Sequence, residues 1–262
     1  MLLKEESVNK KASVTSANNC PNVKEYFTMQ NFNFITQFLH SIRYGHLKKF
    51  LQKVLVEKPK PNIFEIGCGY GKTLSILTQN PKFRVENYLG IDIEPQFISY
   101  CQQKDFDPKY QFLFSDIRNF ANGHKNIPFD PDVIIALECF EHINEFDIPR
   151  VIEWISSLNC PLFISVPNEI GPAILFKNIG SFLMGYIRHK EYSWMETLQA
   201  ALYRLERVTP HSTGHIGFDY RWLAAVINQK FIITKVGTSP WNFIPRSFSP
   251  SIYFYCEPRT IK

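Results

Sequence analysis

The sequence predicts an α/β fold built on a mostly parallel sheet with helices on both faces. Three observations carry that expectation. Apolar runs of strand length alternate with helix-length stretches from about residue 62 to residue 166, as in a sheet whose crossover helices cover both sides. The first run leads straight into three alternating glycines and then a helix, a place where backbone must turn tightly. A chain of 262 residues, 45% hydrophobic, also suffices for one substantial core.

In order along the chain, residues 1–25 are polar, rich in Lys, Ser and Asn, and read as a frayed tail. Over 26–60, Phe34, Phe38, Ile42, Leu47, Phe50, Leu51, Val54 and Leu55 recur at helical spacing. One or two amphipathic helices are expected there, ended by Pro59 and Pro61. Residues 62–66 read as a first strand, followed by the glycine turn and a helix near 73–78. A second strand spans 88–92, and Pro95, a favoured first helical residue, opens the next helix. Strands at 110–115 and 132–137, a helix at 145–158 and a strand at 161–166 complete a core spanning 61–169. Residues 170–213 break the alternation with Phe, Met, Tyr and Trp among Lys and Arg. They read as helices inserted over the open end of the sheet, a lid. In the remaining segment, 214–262, a helix-strand pair near 226–235 and a last strand at 251–257 close the fold.

Charge divides along the chain. Residues 1–60 carry ten Lys and Arg against four Asp and Glu, residues 61–170 eight against fifteen, and residues 171–262 eleven against five. The flanks are therefore basic, and the motif-bearing middle is acidic. No run approaches the roughly 18 apolar residues of a membrane-spanning helix, and the start lacks the apolar stretch of a secretory signal. The six cysteines form no C-x-x-C pair; Cys68, Cys101, Cys139 and Cys256 sit within or beside apolar runs, as buried reduced thiols do. A cytoplasmic location is the expectation.

The most informative segment is Ile63-Phe64-Glu65-Ile66-Gly67-Cys68-Gly69-Tyr70-Gly71-Lys72-Thr73. Gly71-Lys72-Thr73 could end a phosphate-cradling loop, but the first glycine of that motif would fall at position 66, which is Ile66. A dinucleotide fingerprint starting at Gly67 would require glycine at 72, which is Lys72. The remaining pattern, E-x-G-x-G-x-G, resembles motif I of the class I, Rossmann-like S-adenosylmethionine-dependent methyltransferases.

That resemblance spans roughly residues 60–170. Asp92 ends the second strand 21 residues after Gly71, where an acid can accept hydrogen bonds from both ribose hydroxyls. Ser115-Asp116-Ile117 closes the third strand, where the family places an acid against the adenine amine. Leu137-Glu138 closes the fourth, where the family holds the methionine part of the cofactor. The resemblance thus implies S-adenosylmethionine as cofactor, held by Glu65, Gly67, Cys68, Gly69, Gly71, Asp92, Ile93, Asp116, Ile117, Leu137 and Glu138, and a last strand running antiparallel. A cationic cofactor without phosphates also suits an acidic middle. The alternative for each acid is that it caps the helix following its strand. The chain departs from many relatives before strand five, where Leu158-Asn159-Cys160-Pro161 replaces a K-P-G-G-like turn.

On the acceptor side, Glu138-Cys139-Phe140-Glu141-His142 and the later Gly214-His215-Ile216-Gly217-Phe218 are similar to the E-x-x-E-H and H-x-x-F pair of many class I methyltransferases. The resemblance implies His142 and His215 as catalytic residues, converging beside the transferred methyl. One could act as a base near neutral pH, or histidine and two carboxylates could ligate a divalent cation; alternatively they start a helix and cap a turn. No residue is assigned to a metal. Trp194, Tyr192, Tyr186 and Phe182 would let the lid exclude water, and Arg188, His189, Lys190, Arg204 and Arg207 add positive charge beside them. The expected reaction is methyl transfer to a small-molecule acceptor. Nucleic acid is less favoured, because no appended RNA-binding module or aromatic–basic motif is visible. The alternatives are an RNA-modifying methyltransferase with a metal-assisted site and a non-catalytic cofactor-binding protein.

Overall fold

The computed structural model describes residues 34–183, 193–209 and 217–259. The polar tail, the centre of the proposed lid and His215 lie outside the described residues. The sheet belongs to the unit spanning residues 38–262. Its strands are β1 (Ile63–Ile66), β2 (Tyr88–Asp92), β3 (Tyr110–Phe114), β4 (Val133–Leu137), β5 (Leu162–Pro167), β6 (Phe231–Thr238) and β7 (Ser251–Pro258). They lie in the order β3-β2-β1-β4-β5-β7-β6. Strands β1 to β5 pair in parallel, and β7 runs antiparallel between β5 and β6, as the sequence predicts. The order reverses at β1, so the crevice beyond the carboxyl ends of β1 and β4 is a topological switch point, where open parallel sheets bind ligands.

The described helices are α1 (Phe34–Glu57), α2 (Lys72–Thr78), α3 (Pro95–Gln102), α4 (Ile117–Ala121), α5 (Ile148–Ser157), α6 (Pro172–Leu183), α7 (Trp194–Ala201) and α8 (Tyr220–Lys230). Alternation along each strand sends successive side chains to opposite faces. Ile63, Val133 and Ile135 pack with Leu47, Phe50 and Leu51 of α1, Leu74 of α2 and Ile98 of α3. Phe64, Ile134 and Ala136 pack on the other face with Phe120 of α4, Ile152 of α5 and Leu223 of α8. The interiors of β1, β2, β4 and β5 are buried on both sides, which is why they read as continuous apolar runs, whereas the edge strands β3 and β6 are partly exposed.

Several boundaries move from the sequence expectation for identifiable reasons. The N-terminal pattern is one continuous helix, α1. Helix α5 begins at Ile148, later than expected, because Asn144 Oδ1 accepts from Phe146 N at 3.0 Å, a side-chain turn that competes with helix; Pro149 is then tolerated in the first turn. Helix α4, expected only as the helix that an acid after β3 would cap, is five residues long and follows Asp116, whose side chain accepts from Arg118 N. Helix α8 starts at Tyr220, capped by Asp219. Cys68, Cys101, Cys160 and Cys256 are buried free thiols, and Cys139 is partly buried. No described helix is long and apolar enough to cross a membrane.

Candidate cofactor and acceptor site

The glycine turn leaves β1 at the switch point. Gly67, Gly69 and Gly71 all take positive φ, at 71°, 52° and 73°. At Gly67 a Cβ would lie 3.0 Å from Cys139 Cβ, so both conformation and close approach demand glycine. At Gly69 the left-handed backbone faces open space, with nothing within 4 Å of a built Cβ. The loop is therefore packed against the protein at Gly67 and open at Gly69. Gly71 caps the start of α2.

Asp92, at the end of β2, holds this loop in place. Its Oδ2 accepts from Gly69 N at 2.8 Å and its Oδ1 from Glu94 N at 2.9 Å. Burial raises the Asp92 pKa, and those backbone N–H groups oppose the rise. Each carboxylate oxygen keeps one lone pair for a further donor. Ile93 follows with 57% of its surface exposed, an apolar side chain presented at the strand end. Cys68 and Ile117 are buried. These features fit S-adenosylmethionine: an open glycine cradle, a carboxylate beside it and an exposed apolar neighbour.

Glu65 sits beneath the loop, 1% exposed. Thr73 donates to its Oε1 at 2.6 Å, and the Tyr88 hydroxyl donates to its Oε2. The carboxyl thus ties β1 to α2 and β2 from below. Burial pushes its pKa from 4.5 up to about 7, with the Thr73 and Tyr88 bonds opposing and the Asp92 charge adding to the rise. A raised carboxyl pKa means the folded state holds the proton more tightly than the unfolded chain. The resulting stability is complete below pH 4.5 and is lost as pH rises through about 7, a difference of about 3 kcal/mol. Melting temperature should therefore fall between about pH 5 and 8, and Glu65→Gln should flatten that fall. Equal slopes in the two proteins would refute the assignment.

Asp116 caps α4 and is engaged by Arg118, which donates from Nε at 2.9 Å and Nη2 at 2.6 Å and reaches Asp147 with Nη1 at 3.1 Å. Burial alone would raise the Asp116 pKa, but the Arg118 bonds outweigh it and the net direction is down. Helix capping, the alternative open for each acid at the sequence level, is thus what Asp116 does; it stays an ionised acid at the carboxyl edge of β3.

The ends of β4 and β5 carry a second cluster. Glu138 takes φ 50°, a left-handed conformation unusual for a residue with a side chain and found at functional sites. Its Oε1 accepts from Ser165 Oγ at 3.2 Å, and its Oε2 pairs with Arg43 Nη2 of α1 at 3.2 Å. Burial would lower the Arg43 pKa, but Glu138, Tyr253, Tyr44 and Glu141 together raise it. Arg43 Nη1 also donates to His40 Nδ1 at 3.3 Å, because arginine has no acceptor to offer. Burial, then the Arg43 and Lys72 charges, pull His40 down to about 3, so its ring is neutral. Leu137 is partly buried before Glu138.

Glu141 follows in a single 3-10 turn, Phe140–His142. Its Oε2 is buried with no hydrogen-bond partner among the described residues. Burial and then the Glu138 charge raise its pKa well above the ordinary carboxylate value. His142 is exposed at the end of the same turn. Glu169, fully buried after β5, pairs with Lys177 of α6 at 2.5 Å. No group of three or more His, Cys, Asp and Glu among the described residues could hold a metal ion. The meeting of His142 with His215 lies outside the described residues. Sequence reasoning missed Arg43, Glu169 and Lys177; nothing in the helical periodicity of α1 or α6 marks those positions.

Comparison with known proteins agrees with the core. Residues 64–161 match the family model described as a methyltransferase domain. The chain is similar to the phthiotriol/phenolphthiotriol dimycocerosates methyltransferase of Mycobacterium leprae (strain TN), 32% identical over 98 residues, which are 34% of this chain and 33% of that protein. It is also similar to the tRNA N(3)-methylcytidine methyltransferase Mettl2 of Drosophila melanogaster, 27% identical over 142 residues, 52% of this chain and 39% of that one. The matches thus span a third to two fifths of these relatives. Among solved structures, the fold resembles the plantazolicin methyltransferase BpumL, crystallised with a triazolic desmethylPZN analog and SAH, with TM-score 0.51, 18% identity and coverage of 88% of this chain and 94% of that one.

Proposed function

We propose that the protein is a class I, S-adenosylmethionine-dependent methyltransferase, its residues 64–161 matching a methyltransferase-domain model, and that it methylates a small-molecule acceptor at the crevice beyond β1 and β4. The observation that carries the reading is the tie between Asp92 Oδ2 and Gly69 N at 2.8 Å, which sets a carboxylate against an open glycine turn at the switch point. Bound there, S-adenosylmethionine would supply an electrophilic methyl on a sulfonium.

The chain's own residues account for the rest. Gly67, Cys68, Gly69 and Gly71 form the cradle, Asp92 offers its remaining lone pairs to hydroxyls, and Ile93 presents an apolar surface. Asp116 adds an anionic acceptor at the end of β3. Glu65 acts from beneath, by fixing the loop. Glu138, at the end of β4 and paired with Arg43, would offer its carboxylate to the cofactor's cationic part. Methyl transfer needs chiefly alignment and exclusion of water, and we assign the second to α6 and α7, which follow β5. His142, exposed at the end of the 3-10 turn, would take a proton from the acceptor, with His215 as its proposed partner.

Calorimetry should give micromolar binding of S-adenosylmethionine, on the order of −8 kcal/mol, and no binding of NADH. With labelled methyl donor and separate pools of small metabolites, lipids and tRNA, label should enter a small molecule. Labelling of tRNA alone would replace this reading with the RNA one, which the similarity to the Drosophila tRNA enzyme keeps in view. Cofactor binding with no labelled product in any pool would favour a non-catalytic role.

A further inference from the structure

The carboxyl edge of the sheet carries more exposed apolar surface than the proposed cofactor site uses. On α7, Trp194, Met195 and Leu198, with Leu202 just beyond the helix, are all exposed, Trp194 by 69%. At 100° per residue these four positions occupy an arc of about 100°, and the buried Thr197, Ala200 and Ala201 hold the inner side. Helix α6 packs against α7 and exposes Phe176 and Ile179. The loop between β6 and β7 adds Trp241, Phe243 and Phe248. That loop belongs to the same edge, because β7 starts at Ser251 opposite Pro167, the last residue of β5. It is joined to α6 by the Phe176 and Phe248 rings, 6.1 Å apart, and to the end of β5 by Asn168, whose Nδ2 donates to the Arg246 and Ser249 carbonyls at 2.9 Å each.

Single exposed apolar side chains are ordinary; nine on three adjoining segments at one edge are not. Trp and Phe at the periphery are the residues that sit at a bilayer's polar–apolar boundary. The charges beside them fit an anionic surface. Arg204, Arg207 and Arg246 are exposed. Of the acids on these segments, Glu196 is spent capping α7, which leaves Glu206. Extended apolar surface fringed by cations is the physical signature of a peripheral membrane contact.

We infer that the outer faces of α6 and α7 and the β6–β7 loop dock on an anionic lipid bilayer and admit an amphiphilic acceptor from it to the crevice. The inference rests on the methyltransferase reading for the acceptor's fate, but the docking itself does not depend on it.

The test is co-sedimentation of the full chain with vesicles of phosphatidylcholine alone and of phosphatidylcholine with phosphatidylglycerol. The intact protein should bind the anionic vesicles at least tenfold more strongly than the neutral ones. Arg204→Gln with Arg246→Gln should lose most of that preference, roughly fivefold per cation. Trp194→Ser with Leu198→Ser should abolish binding to both vesicles, while melting temperature and S-adenosylmethionine affinity stay unchanged. Absence of vesicle binding by the intact protein would overturn the inference. So would a concentration-dependent dimer that the Trp194/Leu198 variant converts to a monomer, which would make the patch a subunit interface, or tRNA binding lost in that same variant. Vesicle binding without any S-adenosylmethionine binding would instead sink the methyltransferase reading and leave the docking surface standing.

Discussion

Asp92→Ala should weaken S-adenosylmethionine binding by at least about 100-fold, close to 3 kcal/mol, given two lost charged hydrogen bonds at about 1.5–3 kcal/mol each. Its effect exceeds that of removing a ligand contact alone, because the carboxylate also secures the loop. Gly69 N and Glu94 N both donate to it, and without it the left-handed Gly69 turn loses its anchor. Asp92→Asn separates the two contributions. The amide keeps one acceptor for the loop but turns a donor toward the other N–H, so about tenfold weakening is expected. Calorimetry with S-adenosylmethionine and with its demethylated product reads both. An affinity for Asp92→Ala within threefold of the parent would mean that the cofactor site lies elsewhere.

The largest stability loss is expected for Arg43→Leu. Arg43 crosses from α1 to the end of β4, and its guanidinium meets Glu138 at 3.2 Å, with side-chain exposures of 15% and 26%. Removing one partner of a fully buried pair costs about 3–5 kcal/mol because the other charge is left uncompensated. Partial exposure of Glu138 lowers the expectation to about 2–3 kcal/mol. Glu138→Gln in the same background should recover about half of it, since the stranded charge is gone. A double-mutant cycle by denaturant unfolding measures this directly. If Arg43→Leu costs under 0.5 kcal/mol, in the range of an ordinary surface change, the pair is solvated and α1 does not stabilise the site electrostatically. A loss of cofactor affinity accompanying the stability loss is also expected, because Glu138 is held at φ 50° beside the crevice.

Much of the candidate site was legible because its signals are local. Three glycines at alternate positions after an apolar strand permit positive φ without steric cost, and Gly67, Gly69 and Gly71 take it. Asp92 closes β2 and binds the glycine loop at the spacing read from the sequence. Glu65 belongs to the same motif, yet its role beneath the loop depends on hydroxyls brought by α2 and β2. Asp116 shows the opposite case. Its position at the end of β3 is local, but Arg118 two residues later engages it, and no periodicity argument distinguishes a capping acid from a ligand-binding one.

By itself, then, the sequence determined the alternation of strand and helix, the two-sided burial of the central strands and the glycine turn at the carboxyl edge. Those follow from hydrophobic period and backbone sterics within a few neighbouring residues. Only the tertiary structure decided that Arg43 reaches Glu138, 95 positions away in the numbering, and that the Glu141 carboxyl is buried against that charge. The same holds for Trp194, Phe176 and Phe243, which lie on separate segments of one edge. Such pairings depend on chain crossings that bring distant segments together, and a side chain's protonation or exposure is a property of the neighbours it meets there.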